Sequence, residues 1–432
     1  MMRALYTALL GLALPLIFAH LARRGLREPA YRHGWGQRLG WLPPSARTQT
    51  PPIWVHAASV GEVRAIAPLI RQLQADHPDT PLLLTTTTPA GAEQAAGLLR
   101  PEDRQAYLPL DLPGAVARFL DRARPRLAVI VEMELWPNLF ASLRRREIPV
   151  LLANARMSAR SARRYAYLRR LLGPVLATPA RILAQAEADA SRLTELGAPA
   201  GRVEVTGNLK FDLELPADLA ERGADLRATL GARPAWIAAS TREGEEESIL
   251  AAHAAVRRTH PDALLLLAPR HPQRFDEVAD LIRGRDGEPA RRSRGEVPGA
   301  DQPVYLADTL GELPVLYAAA DLAFVGGSLV PLGGQNVLEP AAVGRAVITG
   351  PSRYNFATIG AALEAAGALI EVADAETLGE TVAELLADPE RRSAMGAAGA
   401  ELVAAHRGAT QRLAAQVAAI LKTGAAPREE GG

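Results

Sequence analysis

The stretch WVHAASVGEVRAIAPLI, residues 54–70, decides the fold of the first half of the chain. Apolar residues typical of a buried strand lead into small residues, the chain turns at Gly61, and a helical pattern starts at Glu62. A strand that runs directly into a helix is the repeating unit of a parallel sheet covered by helices. Glu62 is therefore expected at the carboxyl end of a strand and in the first turn of a helix, and the position of this carboxylate needs a reason.

The same alternation continues on both sides of that stretch and predicts an α/β fold. The first series of predicted strands is Ile53–Ala57, Leu82–Thr86, Ala106–Pro109, Leu127–Val131, Val150–Asn154, Ile182–Ala184 and Val203–Thr206. After a linker at 213–219 a second series follows in the runs WIAAS, ALLLLAP, PVYLAD, LAFVGG, AVITG and ALIEV. We expect two doubly wound domains that face a cleft, with ligands at the carboxyl ends of the strands.

The boundaries implied by these patterns divide the chain into four parts. They are an N-terminal membrane anchor at 1–27, a first domain at 28–214, a second domain at 215–423 and a disordered tail at 424–432.

Composition restricts the possible functions of the 432 residues. The 49 Lys and Arg residues nearly balance the 48 Asp and Glu residues, which argues against a nucleic-acid binder that works through bulk positive charge. The chain has no cysteine, so disulfides, thiolate catalysis and cysteine-ligated metal sites are excluded. The eight histidines form no pair with the spacing of metal ligands. Any anion binding must come from local clusters.

The N-terminal segment is apolar from Leu5 to His20 and is followed by Arg23, Arg24 and Arg27. A cleavable signal peptide carries its charges before the apolar run, so cleavage is not expected. Sixteen residues interrupted by Pro15 fall just short of the roughly 17 to 25 that span a bilayer. A short tilted span, an interfacial anchor and a helix packed on the body all remain open, and the arginines would keep the following domain on the cytoplasmic side.

Three further charged features follow predicted strands of the first domain. Glu132 and Glu134 close a fully apolar strand, where strand alternation would point them the same way and a structural reason for two acids is hard to find. Lys210 follows the last strand and could meet an anionic substrate. The segment 151–170 contains six arginines, which suit acidic headgroups or phosphates, although a solvated helix face would look the same.

Glu62 itself has two explanations. An acid in the first turn of a helix complements the helix dipole, which is worth roughly 0.3 to 1 kcal/mol. The same carboxylate, kept ionised by the dipole, could act as a general base.

In the second half of the chain, four successive strands end in residues suited to nucleotide binding. The segments that contain these strand ends are AASTREGEEE, LLAPRHPQRF, LADTLGELPVLY and FVGGSLVPLGGQNVLEP. Free amides at helix starts receive phosphate, and glycines let the backbone approach a ligand closely. Neither a GxGxxG after a strand nor a phosphate-binding P-loop is present, so a dinucleotide oxidoreductase or NTPase is disfavoured.

With these motifs the sequence resembles the 3-deoxy-D-manno-octulosonic acid (Kdo) transferases of Gram-negative bacteria. The resemblance rests on AYRHGWGQRLG, HAASVGE, EMELWPNL, NARMSARSA, TGNLKFD, STREGEE, PRHPQRF, DTLGEL, FVGGSLVPLGGQNVLEP and GPSRYNF, in this order. It implies a GT-B fold and an inverting, metal-independent transfer of Kdo from CMP-Kdo to the 6'-hydroxyl of a lipid A precursor, lipid IVA, in lipopolysaccharide biosynthesis. It also implies a location at the cytoplasmic face of the inner membrane and no cofactor beyond the donor substrate.

The resemblance further assigns residues by position. It implies Glu62 as the catalytic base, with Glu132 and Lys210 as stabilisers of the transition state. The residues that it implies for CMP binding are Pro269, Arg270, Leu310, Gly311, Glu312, Asn336, Val337, Leu338 and Glu339. The chain departs from the family at Gln335, where a histidine is common, and reads NVLE where NPLE is usual.

Two other functions fit a two-domain scaffold of this kind. A nucleotide-sugar epimerase would need no membrane anchor and would form a soluble product without lipid. A non-catalytic lipid- or nucleotide-binding membrane protein would bind CMP without turning over any acceptor.

Overall fold

The computed structural model describes residues 1–423, and the tail predicted at 424–432 lies outside this range. The described chain divides into two compact units, each built on a seven-stranded parallel sheet. The strands are β1 Ile53–His56, β2 Leu82–Thr86, β3 Arg104–Tyr107, β4 Leu127–Val131, β5 Val150–Ala155, β6 Arg181–Ala184, β7 Val203–Val205, β8 Ala235–Thr241, β9 Leu264–Pro269, β10 Ala290–Arg291, β11 Val304–Leu306, β12 Leu322–Val325, β13 Ala346–Thr349 and β14 Leu369–Glu371. Except for the two-residue β10, each strand coincides with a predicted one to within about two residues at either end.

Helices fill the connections between these strands, as parallel pairing requires. They are α1 Met2–Arg27, α2 Trp35–Arg38, α3 Val60–Ala65, α4 Ala67–Asp76, α5 Pro89–Ala96, α6 Pro113–Ala123, α7 Pro137–Arg145, α8 Ala159–Ala166, α9 Arg169–Leu176, α10 Glu187–Glu195, α11 Leu219–Leu230, α12 Glu246–Val256, α13 Phe275–Asp286, α14 Leu313–Ala319, α15 Leu338–Ala342, α16 Ala357–Ala365, α17 Ala375–Ala387, α18 Pro389–Ala405 and α19 Ala409–Thr423.

The first sheet has the strand order β3-β2-β1-β4-β5-β6-β7. Its central strands are buried along their whole length, because helices cover both faces and the runs are almost continuously apolar. The strand order reverses between β1 and β4, and the loops that leave these two strands diverge to opposite faces of the sheet. Such a switch point leaves a crevice at the carboxyl edge, and Glu62 and Glu132 lie in the two segments that flank it.

The second sheet has the order β10-β11-β9-β8-β12-β13-β14, with its own reversal between β8 and β12. At that point Gly326 lies against β8 so closely that a Cβ would stand 2.7 Å from the Thr241 Cα atom. A side chain does not fit there, which explains why the segment after β12 needs a glycine at its start.

The structure corrects the expected extent of the second domain. Within the described residues, the first unit comprises Met1–Asp212 together with Arg407–Thr423, and the second unit comprises Leu213–His406. Helix α19, expected in the second domain, therefore belongs to the first unit. Its Leu413, Val417 and Ile420 are buried in an apolar cluster with Leu69 of α4.

Asp212 holds the start of α19 in place. Its carboxylate accepts the N–H groups of Gly408 at 2.7 Å and Thr410 at 2.5 Å, and the Arg412 Nε atom donates to the Thr206 carbonyl at 2.9 Å. Which sheet α19 covers is thus decided by contacts between distant parts of the chain.

Candidate active site

Glu62 is fixed at the carboxyl end of β1 by the start of α3. Ser59 is the N-cap of this helix, and its Oγ atom lies 3.4 Å from the Glu62 backbone nitrogen. The Glu62 carboxylate accepts the Ala58 N–H and the Ser59 hydroxyl, both at 2.8 Å. These two bonds hold one rotamer of a half-buried carboxylate and still leave lone pairs on the oxygen atoms for an incoming proton.

Glu132 follows β4 directly in a strained backbone conformation. Its φ angle is +59°, in the left-handed region that non-glycine residues rarely adopt, and its N–H donates to the Ala153 carbonyl at 2.8 Å. Strain of this kind is concentrated at functional sites. Because β4 ends at Val131, neither Glu132 nor Glu134 belongs to the strand, and the expectation that alternation would point them the same way does not apply.

The electrostatics of Glu132 show which predicted residues the fold brings together. Burial, and next the nearby Glu62 carboxylate, raise the pKa of Glu132 above its ordinary value. The charged groups whose fields reach Glu132 are Glu62, Lys210, Arg156 and Glu134. The three predicted catalytic residues thus lie in one electrostatic neighbourhood, although they are 70 and 78 positions apart along the chain.

Asn154, which the residue assignments from the sequence omit, fastens the turn that carries Lys210. It is buried at the end of β5 with a φ of +53°, and its Oδ1 atom accepts the Leu209 N–H at 3.1 Å. Lys210 is half-buried in the 3-10 turn Leu209–Phe211, where Asn208 Oδ1 accepts its N–H at 3.0 Å. A non-glycine strand end with positive φ cannot be recognised from sequence, so only the coordinates reveal this role.

His56 is a second residue that the sequence analysis did not single out. Its ring is fully buried, and Nδ1 lies 3.0 Å from the Thr85 carbonyl oxygen. Its Nε2 atom finds no hydrogen-bond partner within residues 1–423 and lies 3.9 Å from Oε2 of Glu134. That same Glu134 oxygen accepts the Trp136 indole N–H at 3.0 Å.

The residues predicted to bind CMP all lie at the carboxyl edge of the second sheet. Pro269 ends β9, and the Arg270 N–H donates to the Thr241 carbonyl at 3.0 Å. Leu310 is 64% exposed and Gly311 has a φ of +81°, just before α14.

Glu312 and the turn before α15 complete this edge. The Arg292 guanidinium bonds to both Glu312 oxygens, at 3.1 and 2.9 Å, and holds the pKa of that carboxyl below its ordinary value. The Asn336 side chain donates to Glu339 at 3.1 Å and accepts the Leu338 N–H at 3.1 Å. Val337 and Leu338 are buried, so side-chain contact with a ligand at this turn falls to Asn336 and Glu339.

The Glu245 side chain binds the backbone of the glycine-rich segment after β12. The side chain is fully buried, and its two oxygens accept four backbone N–H groups at 2.5–2.9 Å. The donors are Arg242, Gly327, Ser328 and Leu329. The sequence pattern predicts that the amides after β8 receive phosphate, whereas the Glu245 carboxylate already binds the Arg242 amide and three amides after β12.

Comparison with known proteins identifies this arrangement. Residues 33–213 match the family model described as 3-deoxy-D-manno-octulosonic-acid transferase, and residues 232–402 match the model for glycosyl transferases group 1. The 3-deoxy-D-manno-octulosonic acid transferase of Haemophilus influenzae is 42% identical over 415 residues, covering 96% of this chain and 97% of that protein. The chain belongs to the Kdo transferase family.

Other relatives of this Kdo transferase agree. The 3-deoxy-D-manno-octulosonic acid transferase of Bordetella pertussis is 43% identical over 424 residues, which cover 95% of this chain and 97% of that protein. Among solved structures, the UDP-GlcNAc 2-epimerase of Neisseria meningitidis aligns over 87% of this chain and 100% of its own with a TM-score of 0.54 and 14% identity. This likeness concerns the fold alone, which is GT-B, so the family membership rather than the fold separates this Kdo transferase from the epimerases.

Proposed function

We propose that this Kdo transferase moves Kdo from CMP-Kdo to the 6'-hydroxyl of the lipid A precursor lipid IVA, with inversion at the anomeric carbon, in lipopolysaccharide core biosynthesis. The position of Glu62 carries the proposal. Its carboxylate is oriented by the Ala58 N–H and the Ser59 hydroxyl, beside Glu132, at the switch point of the first sheet. Family membership supplies the reaction class.

In the proposed reaction Glu62 acts as the general base. It accepts the proton of the acceptor hydroxyl as that oxygen attacks the anomeric carbon of Kdo. The bond from this carbon to the CMP phosphate oxygen breaks on the opposite face, and CMP leaves with the electron pair. General base catalysis of this kind contributes on the order of 100- to 10,000-fold.

Lys210 and Glu132 are proposed to stabilise the transition state. The half-buried Lys210 ammonium would pair with the Kdo carboxylate, which would otherwise face the negative field of Glu62 and Glu132. The raised pKa of Glu132 makes this carboxyl readier than an ordinary one to hold a proton and to donate a hydrogen bond to the reacting sugar.

The second unit is proposed to bind the CMP moiety of the donor. Backbone N–H groups near Gly311 and Asn336 and the Arg270 side chain would hold the phosphate and stabilise the charge that develops as CMP leaves. The remaining contacts are proposed for Pro269, Leu310, Glu312, Val337, Leu338 and Glu339. The hydrogen bonds that Glu312 and Asn336 make within their turns support the assignment.

The lipid acceptor is proposed to reach the first unit from the cytoplasmic face of the inner membrane. Helix α1 is 26 residues long and apolar enough to cross a membrane by length and composition. Helix α8 exposes Arg160, Arg163 and Arg164 and buries none of its residues, so these guanidinium groups are available for the acceptor phosphates.

The decisive experiment is incubation of the full-length protein with CMP-Kdo and lipid IVA, followed by mass spectrometry of the lipid. A lipid heavier by at least one Kdo residue, together with released CMP, is the expected result. Release of a free sugar or an altered nucleotide sugar without a lipid product would contradict the proposal and favour an epimerase. Tight CMP binding with no product on any lipid would favour a non-catalytic binding protein.

A further inference from the structure

Helix α1 has two different faces along its whole length. Leu5, Leu9, Leu12 and Leu16 follow one another at helical spacing and are 55–77% exposed. Arg23 and Arg27, also exposed, continue the same stripe seven and eleven residues beyond the last leucine. We call these six residues the outer stripe. The opposite face carries Leu21 and Gly25, which are buried.

The first turns of α1 are fastened to the body of the first unit. The Thr7 hydroxyl and the Asn138 side-chain amide hydrogen-bond to each other, with Nδ2 of Asn138 2.9 Å from Oγ1 of Thr7. The Tyr6 hydroxyl hydrogen-bonds to Asp111. Asp111 is itself buried and accepts the Asn138 and Leu139 N–H groups at the start of α7, at 2.9 and 2.7 Å.

The last turns of α1 are fastened to the same unit. The rings of Phe18 and Trp35 lie 5.2 Å apart, and the Arg32 Nε atom donates to the Gly25 carbonyl at 2.7 Å. The segment that follows is anchored in turn, since the Arg38 guanidinium donates to the Thr87 carbonyl at 2.8 Å. Contacts at both ends mean that α1, about 39 Å long, lies along the surface of this unit.

This position is incompatible with a transmembrane span. If residues 5–20 crossed the hydrocarbon layer, the Asp111 carboxylate and the Asn138 amide that bind Tyr6 and Thr7 would have to enter it as well. Placing a carboxylate and a side-chain amide at that depth of the hydrocarbon layer has a high cost in free energy. Basic residues also stand at both ends of the helix, Arg3 before the leucines and Arg23, Arg24 and Arg27 after them, which suits a helix whose two ends both lie at headgroup level.

We propose that α1 is an interfacial helix that lies parallel to the membrane, inserts the leucines of its outer stripe into one leaflet and places its arginines on anionic headgroup phosphates. The partner is thus the surface of an anionic bilayer. The proposal rests on the membrane localisation proposed above and specifies its mode, because α1 is the one helix within residues 1–423 that is long and apolar enough to cross a membrane, and it then does not cross.

Single cysteines can test the orientation, because the natural chain has none. Arg3→Cys and Arg23→Cys, both at exposed positions, would each be produced in the full-length protein in bacterial cells. A membrane-impermeant maleimide is expected to label both thiols in inside-out inner-membrane vesicles and neither in spheroplasts. Labelling of the Arg3→Cys protein from the spheroplast side alone would establish a span and overturn the proposal.

A cross-link tests the same geometry without relying on membrane sidedness. In a Thr7→Cys/Asn138→Cys double variant, oxidation of isolated membranes is expected to close an intramolecular disulfide. A Thr7→Cys/Val297→Cys variant, whose second position is exposed in the second unit, serves as a control for random collision. Failure of the first pair to cross-link more than the control would show that α1 leaves the body of the protein and would contradict the proposal.

Vesicle binding tests the outer stripe itself. Full-length protein would be sedimented with vesicles of three parts phosphatidylethanolamine and one part phosphatidylglycerol, without donor or acceptor. Leu12→Glu is expected to weaken partitioning about tenfold or more, and Leu9→Glu similarly, because each places a carboxylate in the acyl region. Val297→Glu, at a position 58% exposed in the second unit, should bind like the parent protein.

These assays separate failure of the membrane mode from failure of the transferase proposal. Parent protein that does not bind the vesicles, or leucine variants that bind undiminished, would overturn the interfacial helix whatever the enzymatic result. Normal vesicle binding with no transfer to lipid IVA would leave the helix in place and refute the proposed reaction.

Discussion

The carboxyl edges of the two sheets both carry acidic residues, but the surroundings of these acids differ. At the second edge, Glu245 is surrounded by four backbone N–H groups, and Asp308 accepts Arg291 and both donor groups of Ser293 at 2.6–2.8 Å. At the first edge, burial and the nearby Glu62 carboxylate raise the pKa of Glu132, and Glu132 has a strained backbone conformation. The acids of the second edge are thus stabilised by nearby donors, whereas the ionised form of Glu132 at the first edge is destabilised by burial and by the Glu62 carboxylate.

Two buried histidines repeat the contrast. In the second unit, Nδ1 of His253 accepts the Trp236 indole N–H at 3.0 Å and Nε2 lies 2.9 Å from the Pro303 carbonyl. Burial lowers the pKa of His253 to about 4, so the ring is neutral at physiological pH. His56 in the first unit uses only Nδ1 and presents an unsatisfied Nε2 to Glu134. A buried polar atom without a partner costs stability, which points to a role outside folding.

Replacement of the Glu62 carboxylate should have the largest effect. Glu62→Gln keeps the size of the side chain but cannot accept the hydroxyl proton, so we expect the transfer rate to fall on the order of 100- to 10,000-fold with CMP binding unchanged. Glu93→Gln, an exposed position in the same unit, is the matched control. Near-parent turnover of Glu62→Gln would remove this residue from the role of base.

Loss of Glu245 should damage the second edge structurally. Glu245→Ala leaves four buried N–H groups without an acceptor, and we expect the free energy of unfolding to fall by about 3 kcal/mol or more and CMP affinity to fall at least about tenfold. Glu243→Ala, exposed in the same loop, should leave both unchanged.

Added acetate makes this prediction sharper. A small carboxylate can enter the space left by the Glu245→Ala substitution, so acetate should restore part of the CMP affinity. Unaltered stability and CMP binding in the variant would show that the four amides do not depend on this carboxylate.

The two histidines should respond differently to the same substitution. An asparagine side chain can replace the hydrogen bond that Nδ1 of either histidine makes, but it has no atom at the position of Nε2. We therefore expect His253→Asn to lose about 1–3 kcal/mol of stability through the orphaned Pro303 carbonyl, with kcat of the folded enzyme retained. His56→Asn should keep its stability and lower kcat several-fold, because Glu134 loses the imidazole whose Nε2 atom lies 3.9 Å from its Oε2 atom. The reverse pattern, with His56→Asn unstable and fully active, would contradict a functional role for Nε2.

The smallest expected effect is a gain in stability. Because the pKa of Glu132 is raised in the folded state, its ionised form opposes folding at pH values above that pKa. Glu132→Gln should therefore raise Tm by a few degrees at most at pH 7.5. The gain should fade as the pH falls from the raised pKa of the folded state toward the ordinary value of 4.5, and it should be absent at lower pH, where the parent carboxyl is protonated in both states. Turnover should fall while Tm rises. A lower Tm at pH 7.5 would contradict the proposed repulsion between Glu62 and Glu132.

The sequence predicted most of the fold because the information is local. The segments Leu82–Thr86 and Leu127–Val131 are short, mostly apolar runs typical of buried parallel strands, and the structure has the same bounds. Glu62 could be placed at a strand end and helix start for the same reason. The backbone conformations of Glu132 and Asn154 could not be predicted from the sequence, because a left-handed conformation at a strand end is imposed by the packing around the residue.

By itself the sequence determined two α/β units, the positions of their strands along the chain and the family, because strand and helix periodicities and motif order are properties of neighbouring residues. Only the tertiary structure decided that α19 returns to the first unit and that Glu245 occupies amides expected to bind phosphate. It also decided that both ends of α1 contact the first unit. Each of these depends on contacts between segments far apart in the chain. Such contacts are chosen by the burial and hydrogen bonding of the whole molecule, which no local pattern encodes.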